Sequence, residues 1–157
     1  MTGPRRGFTL VRTYPVPPAE VFAAWTEPDK LDWFLNPGMP IAWPPQVDLR
    51  VGGAWRLHMV ETADKSYVTG GIYREIDKPH RLAFTFGAVG GWPDLTDGVE
   101  DAPLVTLDFQ ALDRGTRMTL RLDLPPHLDD EAIRNWFNLG IEAGMSQTID
   151  RLRLPRP

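Results

Sequence analysis

Tyr73 and Glu75 stand two residues apart in a strand-forming run over 67–76, which puts both side chains on one face, opposite Ile72, Arg74 and Ile76. Either face can be the inner one. Turned inward, the pair is the best acid–base candidate in the chain, because burial raises a carboxylate's pKa towards a useful range. Turned outward, it is a solvated glutamate beside a surface tyrosine. Other chemistries find less support. Histidines at 58, 80 and 127 lack ligand-like spacing, so no metal is expected. Asp94, Asp97, Glu100 and Asp101 do not follow the spacing of a calcium loop and read as a solvated lid that also carries Trp92. Ser66 and Ser146 have no nucleophile-elbow context, and cysteine is absent, which excludes covalent acyl catalysis. Gly52-Gly53 has no following helix and no Gly-Lys-Ser/Thr signature, so it is a turn and not a phosphate loop. No cofactor is expected.

Aromatic residues are the second candidate set. Trp25, Trp33, Trp55, Tyr67, Tyr73, Phe84, Phe86, Phe109, Trp136 and Phe137 exceed what a minimal core requires. They either pack as core or line a cavity. The candidate lining is Trp55, Leu57, Met59, Phe84, Leu107, Met118, Phe137, Gly140, Ile141, Gly144 and Met145, with Trp33, Trp43 and Trp92 at its mouth.

The elements that must position these residues follow from hydrophobic period. Phe8–Tyr14 alternates as a first strand, which Pro15, Pro17 and Pro18 end. Pro18 opens a short helix carrying Val21, Phe22 and Trp25, and Pro28 starts a second carrying Leu31, Phe34 and Leu35. Residues 36–45 are a proline-stiffened loop. Strands are expected over 47–51, 55–60, 67–76, 82–87, 105–110 and 117–122, and a long acidic loop over 88–102. Gly70-Gly71 marks a bulge or a close backbone approach. Strict alternation means an antiparallel sheet with one solvated face.

Residues 129–153 read as one long helix, N-capped by Asp129 and roughly 37 Å in length. Its stripe is Ile133, Phe137, Gly140, Ile141, Gly144, Met145, Thr148 and Leu152. Glycine costs a helix interior ~1 kcal/mol relative to alanine, so two on the buried face need a reason. They either let a strand approach closely or leave room for something that is not protein. The fold class is α+β: a curved antiparallel sheet gripping one long C-terminal helix, with two short helices after the first strand. Residues 1–157 make a single domain.

A net charge of −4 without a basic cluster argues against nucleic acid as a partner. No stretch is long and apolar enough for membrane insertion, and Arg12 and Pro15 interrupt the run after Arg5-Arg6 too early for an export signal. A cytoplasmic location is expected.

Four stretches resemble a known family. They are Val16-Pro-Pro-Ala-Glu-Val-Phe-Ala-Ala-Trp-Thr-Glu-Pro-Asp-Lys-Leu31 with Trp33, Asp48-Leu-Arg-Val-Gly-Gly-Ala-Trp-Arg56, Gly71-Ile-Tyr-Arg-Glu-Ile-Asp-Lys-Pro-His-Arg-Leu-Ala-Phe-Thr85 and Gly115-Thr-Arg-Met-Thr-Leu120. In this order they resemble the START-like helix-grip superfamily (polyketide cyclases and lipid-transfer proteins), and within it the activator of heat-shock-protein-90 ATPase-like domain. The family's last helix usually carries Gly-Trp near 144–145, where this chain has Gly144-Met145, a more adaptable wall. The resemblance implies a cavity between sheet and C-terminal helix that holds a hydrophobic small molecule, a lipid or an aromatic polyketide-like compound, with weak catalysis or none. Its alternatives are a cyclase- or hydrolase-like enzyme using Tyr73 and Glu75, and a chaperone ATPase-activating domain. Arg50, Arg56 and Arg74 either pair with Asp48 and Glu75 on the outer sheet surface or form a docking face, for a chaperone or for a second copy in a homodimer.

Overall fold

The computed structural model describes residues 3–88 and 102–155, and in them the expected α+β order appears. Eight strands form one antiparallel sheet: β1 Gly7–Tyr14, β2 Gln46–Val47, β3 Ala54–Thr62, β4 Lys65–Asp77, β5 Arg81–Thr85, β6 Gly87–Ala88, β7 Leu104–Leu112 and β8 Gly115–Asp123. Their spatial order is β1-β8-β7-β5-β4-β3-β2, with β6 pairing with β4. Helix α1, Pro18–Thr26, begins on Pro18, where a missing N–H costs nothing. Helices α2, Asp130–Asn138, and α3, Ile141–Asp150, follow the last strand.

Register explains the core. Ile76, Leu82, Leu107, Leu120 and Leu10 are successive cross-strand partners, so one apolar row runs over five strands. Leu82, Leu107, Met118, Leu120 and Leu122 have no exposed surface. Phe22 of α1 packs edge-on against Phe109, with ring centroids 5.8 Å apart.

Four expectations need correction. The C-terminal segment is two helices, because Gly140 adopts φ 84°, a left-handed conformation that breaks the axis after Leu139. Asp129 does cap the first of them, its carboxylate accepting the Ala132 N–H at 2.8 Å. The expected strand over 47–51 shrinks to Gln46–Val47, because residues 48–53 fold back on themselves through Arg50 N–H to Asp48 O and Gly53 N–H to Arg50 O, each 2.8 Å. The expected second short helix is two single 3₁₀ turns, Pro28–Lys30 and Asp32–Phe34. Finally, β4 slips register between Tyr73 and Glu75, so the period-2 alternation fails there. At Gly71 the close approach is real: a Cβ would lie 1.7 Å from the Thr85 carbonyl oxygen.

Candidate ligand-binding site

The bulge in β4 separates the two groups that sequence spacing placed together. Tyr73 points inward and is buried, and burial pushes its hydroxyl well above the ordinary tyrosine range, with Asp48 adding to the shift. Glu75 lies outside, exposed, and its carboxylate accepts from Arg81 at 2.6 Å. The acid–base pair is not formed. Arg81 also bonds Asp108 at 2.8 Å, so both carboxylates are ordinary surface partners of one guanidinium.

Apolar residues build a cavity of about 210 Å³ between the inner face of β3–β4 and α3. Met59, Tyr67 and Thr69 form its floor, Phe34 and Phe86 one wall, and Ile141, Met145 and Thr148 its roof. Leu139, Gly140 and Gly144 complete the rim, and all three are exposed. Leu139 is 65% exposed beside this opening. A Cβ added at Gly140 or Gly144 would meet nothing within 4 Å. The glycines therefore do not admit a strand; they leave space.

Polar groups around the cavity are few. The Thr69 hydroxyl donates to Gly87 O at 2.5 Å, and the Thr148 hydroxyl to Gly144 O at 2.8 Å. Tyr67 supplies a further hydroxyl, whose pKa burial and Glu61 raise above the ordinary tyrosine value. No carboxylate, histidine, lysine or arginine lines the cavity among the described residues. Such a lining can hold an apolar solute and offer it a hydrogen bond, but it has no group that exchanges a proton near neutral pH.

Five of the expected lining residues meet here: Met59, Gly140, Ile141, Gly144 and Met145. Trp55, Leu57 and Phe84 instead line a separate gap of about 20 Å³, with Trp25, Leu31, Phe34 and Tyr73. Leu107 and Met118 line neither space. Both are solid core, and the Trp25 indole N–H donates to the Met118 Sδ at 3.2 Å. Phe137 sits on the far side of the helix break, edge-on to Phe8 at 6.3 Å and beneath the Arg5 guanidinium at 4.9 Å.

The expected mouth is not formed as proposed. Trp33 is buried, packs on Trp25 at 4.7 Å and donates its indole N–H to Ala24 O at 2.9 Å. Trp43 stacks on His58 at 5.7 Å, and the Ala42 N–H donates to His58 Nδ1 at 2.9 Å. His58 alternates with the inward Leu57 and Met59, so this places Ala42 and Trp43 over the outer sheet face, while residues 36–41 run beside the end of α3. Trp92 and the carboxylates at 94–101 lie outside the described residues. Phe34, Tyr67, Thr69, Phe86, Leu139 and Thr148 escaped the sequence reading of the cavity. Strand alternation gave a signal for Tyr67, Thr69 and Phe86; none marked Phe34, which a 3₁₀ turn delivers.

Arginines fasten the roof at its edges. Arg12 bonds Asp150 and Ser146, each at 2.9 Å, and Arg5 pairs with Glu142. Arg151 donates to Trp33 O at 3.0 Å and Phe34 O at 2.9 Å, tying the end of α3 to the turn that carries the Phe34 wall. A wider depression of about 930 Å³ beside this turn is open to solvent and mixes Asp29, Lys30, Asp32 and Arg153 with Leu35, Met39, Ile41 and Leu154.

Solved structures share this architecture. A Mycobacterium smegmatis protein superposes with a TM-score of 0.72 at 21% identity, over 92% of this chain and 86% of that one. A Rhodobacter sphaeroides protein gives 0.74 at 19% identity over 96% and 92%. A Nitrosomonas europaea protein gives 0.73 at 23% identity over 93% and 90%. At such identities the shared property is the fold. No curated protein matches the chain in sequence. No helix among the described residues is long and apolar enough to cross a membrane. A family model described as activator of Hsp90 ATPase homolog 1-like protein matches residues 15–154. With its helix-grip fold and a match over nearly its whole length, the chain belongs to the activator of Hsp90 ATPase homolog 1-like family.

Proposed function

We propose that the protein binds a small hydrophobic molecule in the cavity between β3–β4 and α3. One observation carries this reading: an apolar space of about 210 Å³ is rimmed by Gly140 and Gly144, where a Cβ would touch nothing, beside a core whose apolar residues are buried. Well-packed interiors leave few voids larger than a water molecule, and a space of this size lined mainly by apolar side chains has room for an apolar solute. Drug-sized ligands occupy roughly 300–1,000 Å³, so the occupant is smaller than these or displaces a wall. With no group that titrates near neutrality among the described lining residues, the site supports binding without requiring catalysis.

The test is displacement of a fluorescent apolar probe, combined with native mass spectrometry of freshly purified protein. Gly144→Leu should weaken probe binding at least tenfold while the protein remains folded, because the new side chain grows into the rim. Binding equal in wild type and variant, or no binding across a panel of lipids and aromatic polyketide-like compounds, would sink the idea.

A further inference from the structure

Resting on that binding reading, a buried group next to the cavity narrows the class of ligand. Trp55 is 5% exposed, and its indole Nε1–H has no hydrogen-bond partner among the described residues. Buried donors are nearly always bonded, so an orphan calls for an occupant. The neighbouring indoles make the contrast plain. Trp25 donates to Met118 Sδ at 3.2 Å and Trp33 to Ala24 O at 2.9 Å, each within the protein.

The gap that Trp55 lines has a volume of about 20 Å³, room for one water-sized atom. It therefore admits a single oxygen and not a head group. Phe34 lines both this gap and the larger cavity, so its ring is the partition between them. Trp55 lies 6.2 Å from Phe34 and 6.1 Å from Phe86, centroid to centroid, one ring's breadth from the apolar space. Among the described residues no cation lines either space, so a carboxylate delivered here would be desolvated without compensation.

We propose that Trp55 Nε1–H is the polar anchor of the site, donating to a neutral acceptor oxygen (ketone, ester, lactone or ether) at one end of an otherwise apolar ligand. The ligand's body fills the cavity under α3, and the Phe34 ring, common to both linings, turns aside so that the two spaces join and the oxygen reaches the indole. Arg151, bonded to the Trp33 and Phe34 carbonyls, sets where that ring stands.

Acetophenone, ethylbenzene and benzoate form a matched set of probes that differ in this oxygen. Isothermal titration of wild type should rank acetophenone about tenfold above ethylbenzene, with benzoate weakest; one net hydrogen bond is worth about that factor. Trp55→Phe should bring the acetophenone-to-ethylbenzene affinity ratio from about ten down to about one. In wild type, the Trp55 indole resonance, assigned through its own backbone, should move with acetophenone and stay near its place with ethylbenzene; this readout decides the matter even where Trp55→Phe folds poorly. A ketone preference that survives Trp55→Phe, an indole that responds equally to both probes, or a preference for benzoate overturns the anchor while leaving apolar binding intact. If neither neutral probe binds, the anchor and the binding reading fall together.

Discussion

Two halves of one sheet meet their helices differently. Over β7–β8 the inward row of Val105, Leu107, Met118, Leu120 and Leu122 shows no exposed surface, and α1 closes on it through Phe22 and Phe109. Over β3–β4, Met59 and Tyr67 face a void under α3, whose own inward residues are only Ile141, Met145 and Ile149. Both halves obey the same strand alternation. What differs is the cover: α3 starts on a left-handed glycine, carries a second glycine at the rim and is fastened at its edges by arginines. A filled core supports the fold, and the half left unfilled is where a ligand has room.

Substitutions of matched chemistry should break the symmetry of the two halves. Leu107→Ala should cost about 2–5 kcal/mol in urea denaturation, because it opens a cavity in close-packed surroundings. Met59→Ala should cost less, under about 2 kcal/mol, since Met59 already borders empty space and has fewer packing contacts to lose. Equal losses would mean that the β3–β4 half is packed as tightly as the other.

The rim glycines should then separate in sign. Gly140→Ala is expected to destabilise by about 1–2 kcal/mol, since its φ of 84° strains any residue bearing a Cβ. Gly144→Ala is expected to stabilise by up to about 1 kcal/mol, because it lies inside α3 and its Cβ would meet nothing within 4 Å. Thermal melts of the two variants check this; a shared sign would show that space and conformation play the same part at both positions.

Alkaline pH probes burial in both halves of the sheet. Burial pushes the Tyr14 hydroxyl from 10.0 up to about 12, Arg12 opposing and Asp150 adding to the shift. Tyr67 and Tyr73 are raised by burial as well. A raised folded-state pKa means that the folded protein holds these protons longer than the unfolded chain does. The associated stability is therefore full below pH 10 and is lost as pH climbs through about 12. Denaturation midpoints should be flat on this account from neutrality to roughly pH 9 and fall above pH 10; tyrosinate absorbance appearing below pH 10 in the folded protein would contradict it.

The smallest effect belongs to Glu75. Glu75→Gln should change stability by less than about 0.5 kcal/mol, because the pair with Arg81 is exposed and Arg81 keeps Asp108. Ligand affinity should not move, and a loss of affinity would return this residue to the site.

Strand alternation made most of this architecture legible, from the leucine row to the inward Trp55, Leu57 and Met59. It could tell which side chains face in, but not whether anything stands above them, so Leu107 and Met118 looked equivalent to Met59. The β4 bulge left no mark, because Tyr73 and Glu75 keep an unbroken period of 2 in sequence while the extra residue turns Glu75 outward. At Gly140 the apolar stripe continues through the break, so the glycine looked like a costly interior residue and not the left-handed start of a new helix. Phe34 was legible as a helical apolar residue, yet its place on the cavity wall depends on a 3₁₀ turn and on Arg151, more than a hundred positions away.

Methionine methyl groups offer the most direct test, since they report both halves at once. Met59 and Met145 line the cavity, and Met118 lies in the solid half. Titrating a benzene-sized apolar solute into methyl-labelled protein should shift the Met59 and Met145 resonances and leave Met118 in place. Three unmoved methyls, or a Met118 shift as large as the others, would contradict a ligand cavity confined to the space beneath α3.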